Sequence, residues 1–163
     1  NAVDVKCIVV TGDSIKSGQC VPHAWNIVDI GGEPYQLDVT WDIGAVKARK
    51  IIYDYFNLTD SLMNLEHRSE NILPKCNKSS ANYFVKAKCD FHTRYRLSRH
   101  IQKQIEQGKK EIFFRINGML KKENIIDMVD AILRQKHQST ETTRVGFSYS
   151  SNEKIGVYYI RIN

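Results

Sequence analysis

An α+β fold follows from three features of the sequence. Gly31-Gly32 separates two stretches of strand-like residues, 23–30 and 33–40, which is the mark of a tight antiparallel hairpin. Leu97, Ile101 and Ile105 recur at four-residue spacing and stop at Gly108, and Ile125, Ile126, Val129, Ile132 and Leu133 draw a second stripe of helical period. Short β-branched and aromatic runs, "EIFFRI" and "KIGVYYIRI", stand between and after these helices. The expected architecture is an antiparallel sheet portion, residues 1–90, followed by a small α/β tail, residues 91–163, running α-β-α-β-β.

Each element has its own reason. "CIVVT" (7–11) is short, apolar and β-branched and is expected to be a buried strand ending at Gly12, with Cys7 inside it. Residues 12–20 are polar and read as a loop, and residues 44–50 read as a basic loop before "IIYDYFNLTDSLMNLEH". Thr59 or Asp60 can cap a short helix through Leu65. Residues 69–80, with Pro74, read as another loop, and "NYFVKAKCDF" (82–91) reads as a strand. In the tail, Val145, Phe147 and Tyr149 alternate. Ser150, Ser151, Asn152 and Glu153 then turn the chain into the last strand.

Composition bounds the function. With 163 residues, 42% hydrophobic and 26% charged, the chain is an ordinary globular protein. At this length it can bury a core without staples. No apolar run approaches the roughly 18 residues of a membrane span. The chain starts at Asn1 and shows no signal peptide, which leaves open what a parent protein carries. The net charge of +6 is concentrated in residues 86–110, where Lys86, Lys88, Arg94, Arg96, Arg99, Lys103, Lys109 and Lys110 face only Asp90 and Glu106. Such a segment can attract nucleic acid, an anionic membrane or an acidic polymer. It lacks the aromatic interleaving of a nucleic-acid module, so a solvated helix face is the expectation and no nucleic-acid partner is expected. The four cysteines, Cys7, Cys20, Cys76 and Cys89, allow three pairings, and Cys76 with Cys89 is either a disulfide or two thiols. Cys20-x-x-His23 is half of a zinc-ligand spacing with no second close pair, so no metal or other cofactor is expected.

The hairpin carries the chemistry. A two-residue loop at Gly31-Gly32 sets His23 opposite Thr40 and Trp25 opposite Asp38. One face then holds His23, Trp25, Ile27, Gln36, Asp38 and Thr40. The other holds Ala24, Asn26, Val28, Ile30, Tyr35, Leu37 and Val39, and is expected to be core. His23 and Asp38 are diagonal neighbours, roughly 7–8 Å apart at the backbone, which their side chains can bridge. A carboxylate on one imidazole nitrogen fixes the tautomer and leaves the other nitrogen to take a proton from a thiol or hydroxyl. On spacing alone a plain His–Asp hydrogen bond is an equal reading.

The wording of these strands, "HAWNIV" and then "YQLDVTWD", resembles the His and Asp strands of the transglutaminase-like superfamily. "VKCIVVTGDS" before them and "YDYFNLTDSLMNLEH" after them are similar to the flanks in bacterial members. The resemblance covers about residues 5–90. It implies a papain-like α+β fold and a Cys-His-Asp triad, with His23 as general base and acid and Asp38 as its orienter. Trp25, Asn26, Thr40 and Trp41 match the motif. Trp25 and Trp41 are the candidates for substrate contact, and Asp42 is a weaker candidate for a polar role near the site.

The sequence departs from that family at the nucleophile. The family's Cys stands in a G-x-C at a helix start, well before the His. Gly18-Gln19-Cys20 spells G-x-C, but Pro22 and His23 follow at once and leave no room for a helix. The expectation is a nucleophile upstream in the parent and a chain that is catalytically silent by itself. The intact protein is then expected to be a thiol acyl-transferase or an amide or peptide hydrolase acting on a protein or peptide. The alternative is a non-catalytic module that binds a protein or a cell-wall polymer. Bacterial relatives are often exported, which points to an extracellular or cell-surface location. The sequence says nothing about the oligomeric state.

Overall fold

The computed structural model describes residues 4–16, 18–44, 53–117, 120–137 and 145–163. The protein is α+β, with two four-stranded sheets and five helices among the described residues. The chain divides into two compact units, Asn1–Ala87 and Lys88–Asn163. The expected basic loop lies almost wholly outside the described residues. No described helix is long and apolar enough to cross a membrane.

In the first unit β1 (Cys7–Lys16), β2 (Gln19–Ile30), β3 (Glu33–Leu37) and β4 (His67–Arg68) form a sheet of order β3-β2-β1-β4. The Gly31-Gly32 hairpin forms in the expected register, with Ile27 opposite Gln36 and Asn26 opposite Leu37. Both glycines have positive φ, 66° and 85°, as a two-residue turn of this hand requires. Residues 12–16 and 19–20 are strand rather than loop. Gly12 does not end β1 but pairs with His23, and pairing continues to Lys16 opposite Gln19. A side chain at Gly12 would put its Cβ 2.1 Å from the Arg68 carbonyl oxygen, so glycine lets β4 close against β1 there.

The second hairpin strand is shorter than expected. It ends at Leu37, and Val39–Gly44 is a helix, α1, so Thr40 and Trp41 are helical and the pairs His23–Thr40 and Trp25–Asp38 do not form. The cause is Asp38. Its Oδ1 accepts the Trp41 N–H at 3.0 Å, three residues on, which is an N-cap bond that outweighs the β preference of Thr40 and Trp41.

The sheet also buries the face opposite to the one expected. Trp25, Ile27, Gln36 and Asp38 are buried, together with Val10 and Ser14 from β1. The ring contacts of Trp41, Tyr55 and His67 show that α1 and the segment after it pack on this face. On the other face Val28 and Tyr35 are buried with Ala81, and Leu37 packs against them, but Ala24 and Ile30 are exposed. Cys7 shares that open face and is exposed, not buried. Val9, also on it, is 71% exposed.

After α1 come α2 (Asp60–Met63), with Thr59 at its N-cap, then β4 and α3 (Tyr83–Lys86). Residues 82–91 are therefore not one strand. The Asn82 side chain accepts the Phe84 N–H and starts a helical turn, and only β5 (Asp90–Phe91) is extended. In the second unit β5, α4 (Arg94–Glu106), β6 (Glu111–Ile116), α5 (Lys122–His137), β7 (Phe147–Asn152) and β8 (Val157–Ile162) build a sheet of order β5-β6-β8-β7. Parallel β5 and β6 are joined through α4, and the other pairs are antiparallel. The final turn comes after Asn152, two to three residues later than the sequence suggested, and Ser150 and Ser151 are still paired. Leu97, Ile101, Ile105, Ile125, Val129 and Leu133 are all buried, as are Ile112, Phe114 and Ile160 on the sheet. Each such side chain contributes about 1.5–3 kcal/mol through burial. Cys76 and Cys89 are free, buried thiols.

Candidate functional site

Three elements of the first unit converge on one carboxylate. β2 carries His23, the β3–α1 junction carries Asp38, and β4 carries His67. The His23 Nε2 lies 2.7 Å from Asp38 Oδ2, so the expected His–Asp hydrogen bond is present. The His67 Nε2 lies 2.9 Å from the same oxygen. Asp38 is fully buried, and His23 keeps 14% side-chain exposure. Burial alone would push the Asp38 carboxyl up. Hydrogen bonds from His67, His23 and the Trp41 N–H outweigh it and hold the group below its ordinary value of 3.8. Asp38 is thus an anion at neutral pH. With Nε2 of His23 committed to it, Nδ1 is the nitrogen available for proton exchange.

Aromatic rings wall the site. The His23 ring stacks on Trp25 at 6.4 Å and tilts against Trp41 at 5.6 Å, and His67 lies 4.7 Å from Trp41 and 5.0 Å from Trp25. Trp25 is 3% exposed, and its indole N–H donates to Gln36 Oε1 at 2.7 Å. Gln36 in turn donates to Asp60, whose other oxygen accepts the Cys76 N–H, so a buried polar chain fixes Trp25. Trp41 is half-buried, so of the two tryptophans it has more surface to offer a substrate. Asp42, one turn into α1, accepts the Tyr55 N–H. Burial, with the nearby charges of Asp54 and Asp38, pushes its carboxyl up to about 7. The Tyr55 hydroxyl donates to Glu66, the residue before His67.

No described thiol sits against His23. Cys76 is buried, hydrogen-bonds to the Pro74 carbonyl and is pushed up to about 12 by burial and the Asp60 charge. Burial likewise pushes Cys89, in the other unit, up to about 11. Cys20 is exposed and, three residues from His23 on one strand, leaves the sheet on the opposite face. It lines a cleft of about 880 Å³ with Thr11, Asp13, His67, Arg68 and Glu70. The register puts Thr11, Asp13 and Arg68 on the face away from His23, whereas Gly12 and His67, which also line the cleft, lie on His23's face.

His67 is the functional candidate that sequence reasoning missed. It sits 44 positions from His23, within a flank noted only for its wording, and a two-residue strand brings it in by pairing His67 with Ser14. His23, Asp38 and His67 offer donor atoms within 4.8 Å of one another, the ligand types of a metal centre. The surroundings fit a hydrogen-bonded relay better. A ligating imidazole donates through its other nitrogen to a second partner, and the buried Nδ1 of His67 has none. Comparison with protein-family models and with curated proteins returns no match.

Proposed function

We propose that His23 and Asp38 are the proton-relay pair of a transglutaminase-like thiol enzyme, an acyl-transferase or an amide or peptide hydrolase acting on a protein or peptide. The observation that carries this reading is the 2.7 Å bond from His23 to a buried, ionised Asp38, under two indoles, with Nδ1 uncommitted. The fold family itself rests on the wording of the His23 and Asp38 strands and on the α+β architecture. Because no described cysteine is placed to react, the nucleophile in this proposal is a thiol from a segment outside these 163 residues.

The chemistry would run in two balanced steps. His23 Nδ1 takes the thiol proton as sulfur bonds to the carboxamide carbon. The carbon–nitrogen bond then breaks, and His23 returns the proton to the departing ammonia or amine. An amine or water next gives a proton to His23 and attacks the thioester, which frees the thiolate to be reprotonated. Trp41 would contact the substrate and Trp25 would shield the Asp38–His23 bond from water. Access of amine or water to the thioester decides between transfer and hydrolysis.

The test compares the 163-residue chain with the full-length protein on a Gln-donor peptide, a primary amine and a general amide substrate. Expected are no turnover in the chain alone, turnover in the full-length protein, and a loss of about 10³-fold or more for His23→Ala. A thiol probe should label one upstream cysteine, less so in His23→Ala. Turnover by the chain alone that Cys20→Ala abolishes would relocate the nucleophile. A full-length protein with no turnover and no reactive thiol would leave a binding module.

A further inference from the structure

We propose that His67 is a positioning residue for the His23–Asp38 pair: it donates its Nε2–H to the carboxylate oxygen that also accepts from His23, and so holds Asp38 ionised and aimed. This rests on the acyl-transfer reading of the site and assigns a fourth residue to it.

The geometry assigns the tautomer. His67 Nε2 stands 2.9 Å from a carboxylate oxygen, so this nitrogen carries the proton. Nδ1 is buried with no hydrogen-bond partner, so it holds the bare lone pair, since a buried N–H without an acceptor costs more. The side chain is fully buried and boxed by Trp25, Trp41 and Tyr55, with ring centroids at 5.0, 4.7 and 5.6 Å. It cannot swing away from Asp38 without opening that box. The Asp38 carboxylate then has three fixed donors, His23 and His67 on Oδ2 and the Trp41 N–H on Oδ1. Each holds the carboxyl down against the rise that burial imposes. Without His67 the carboxylate keeps its burial and loses one donor. It becomes easier to protonate and freer to turn about its Cβ–Cγ bond. A protonated or turned Asp38 no longer fixes the His23 tautomer.

Ring-nitrogen and carboxyl-carbon NMR of the protein reads this directly. In the wild type, His67 should show a protonated Nε2 and an unprotonated Nδ1 near neutral pH. The reverse tautomer would overturn the proposal without any variant. His67→Phe keeps a ring in the box and removes the donor. It should shift the Asp38 carboxyl titration upward and blur the His23 tautomer. His67→Gln, which can present an amide N–H in the same place, should restore both. A variant that only loosened packing would lower the melting temperature and leave Asp38 and His23 unchanged, and that result would also overturn the proposal. In the full-length protein His67→Phe should lower kcat by about 100-fold, with KM little changed and partial rescue by His67→Gln. The spectra and the turnover separate the two readings. The expected shifts in a protein that shows no acyl transfer would sink the proposed reaction and keep the His67 assignment. Turnover that His67→Phe leaves intact, with Asp38 unshifted, would sink the His67 assignment alone.

Discussion

The two units solve the problem of a small core in opposite ways. Of the ten polar or charged residues buried among the described ones, nine (Ser14, Gln36, Asp38, Asp42, Asp54, Asn57, Glu66, His67 and Asn82) belong to the first unit and only Arg115 to the second. The second unit packs helix stripes on a sheet, and its one buried charge is closed by a two-pronged bond to Asp90, its neighbour across the β5–β6 register. The first unit mixes buried carboxylates, amides and an imidazole into its apolar interior, most of them bonded to one another. Apolar side chains do not titrate, so their packing by itself does not follow pH. A polar interior holds charges in fixed directions, which chemistry needs, and its stability follows the protonation of its parts.

Variants can break this contrast, and the largest effect should come from the second unit. Asp90→Ala removes the two-pronged carboxylate partner of a guanidinium that is 2% exposed, and urea unfolding should show a loss of about 3–5 kcal/mol. A loss under 1 kcal/mol would mean that the pair is not the keystone its burial indicates. Ile101→Ala, in the apolar stripe of α4, should cost about 2–5 kcal/mol, by the same amount at acid and neutral pH.

The third variant sharpens the comparison through pH. Asp42 sits at about 7 in the folded protein against 3.8 as an ordinary carboxyl. Between those values the folded chain binds a proton that the unfolded chain does not. Its contribution is therefore full below about 3.8 and is lost as pH rises through about 7. Asp42→Asn keeps an oxygen for the Tyr55 N–H and should be more stable than wild type above neutral pH, by about 2–4 kcal/mol, with little difference near pH 4. Asp38 works with the opposite sign. Its carboxyl is held below 3.8, so its contribution is lost as pH falls below that value. Denaturation curves across pH that show no difference between Asp42→Asn and wild type would contradict the first of these. The smallest effect should be Thr93→Ala, which removes the exposed cap of α4 and costs about 0.5–1 kcal/mol at any pH.

Legibility in the sequence also differs between the units. In the second unit α4, α5, β6 and β8 could be read from pattern, because local pattern and tertiary burial agree there, whereas two-residue β5 and the β7 strand, with Tyr149 exposed, do not follow that rule. In the first unit the Gly31-Gly32 turn set the parity that brings His23 and Asp38 to one face, and that much could be read. The rest was decided by contacts far apart in sequence. Thr40 and Trp41 look like strand residues until the Asp38 cap is known. Which face of the sheet is core depends on where α1, Tyr55 and His67 fold back, and no period encodes that. His67 was illegible for the same reason, because a two-residue strand has no pattern of its own.

One consequence of the Asp38 geometry concerns how sequences of this kind can drift. Its Oδ1 starts a helix and its Oδ2 receives two imidazoles. For the helix alone Asn, Ser or Thr would serve nearly as well. For the imidazoles none of them would, because an amide or hydroxyl does not offer the same anion to two N–H donors. If the proposed relay is correct, homologues that lack it but keep the fold should therefore show those three residues at this position. Homologues still under selection for it should show only Asp, since Glu would move the anion by a methylene. A single aligned position would then separate homologues that keep the proposed relay from those that keep only the helix start.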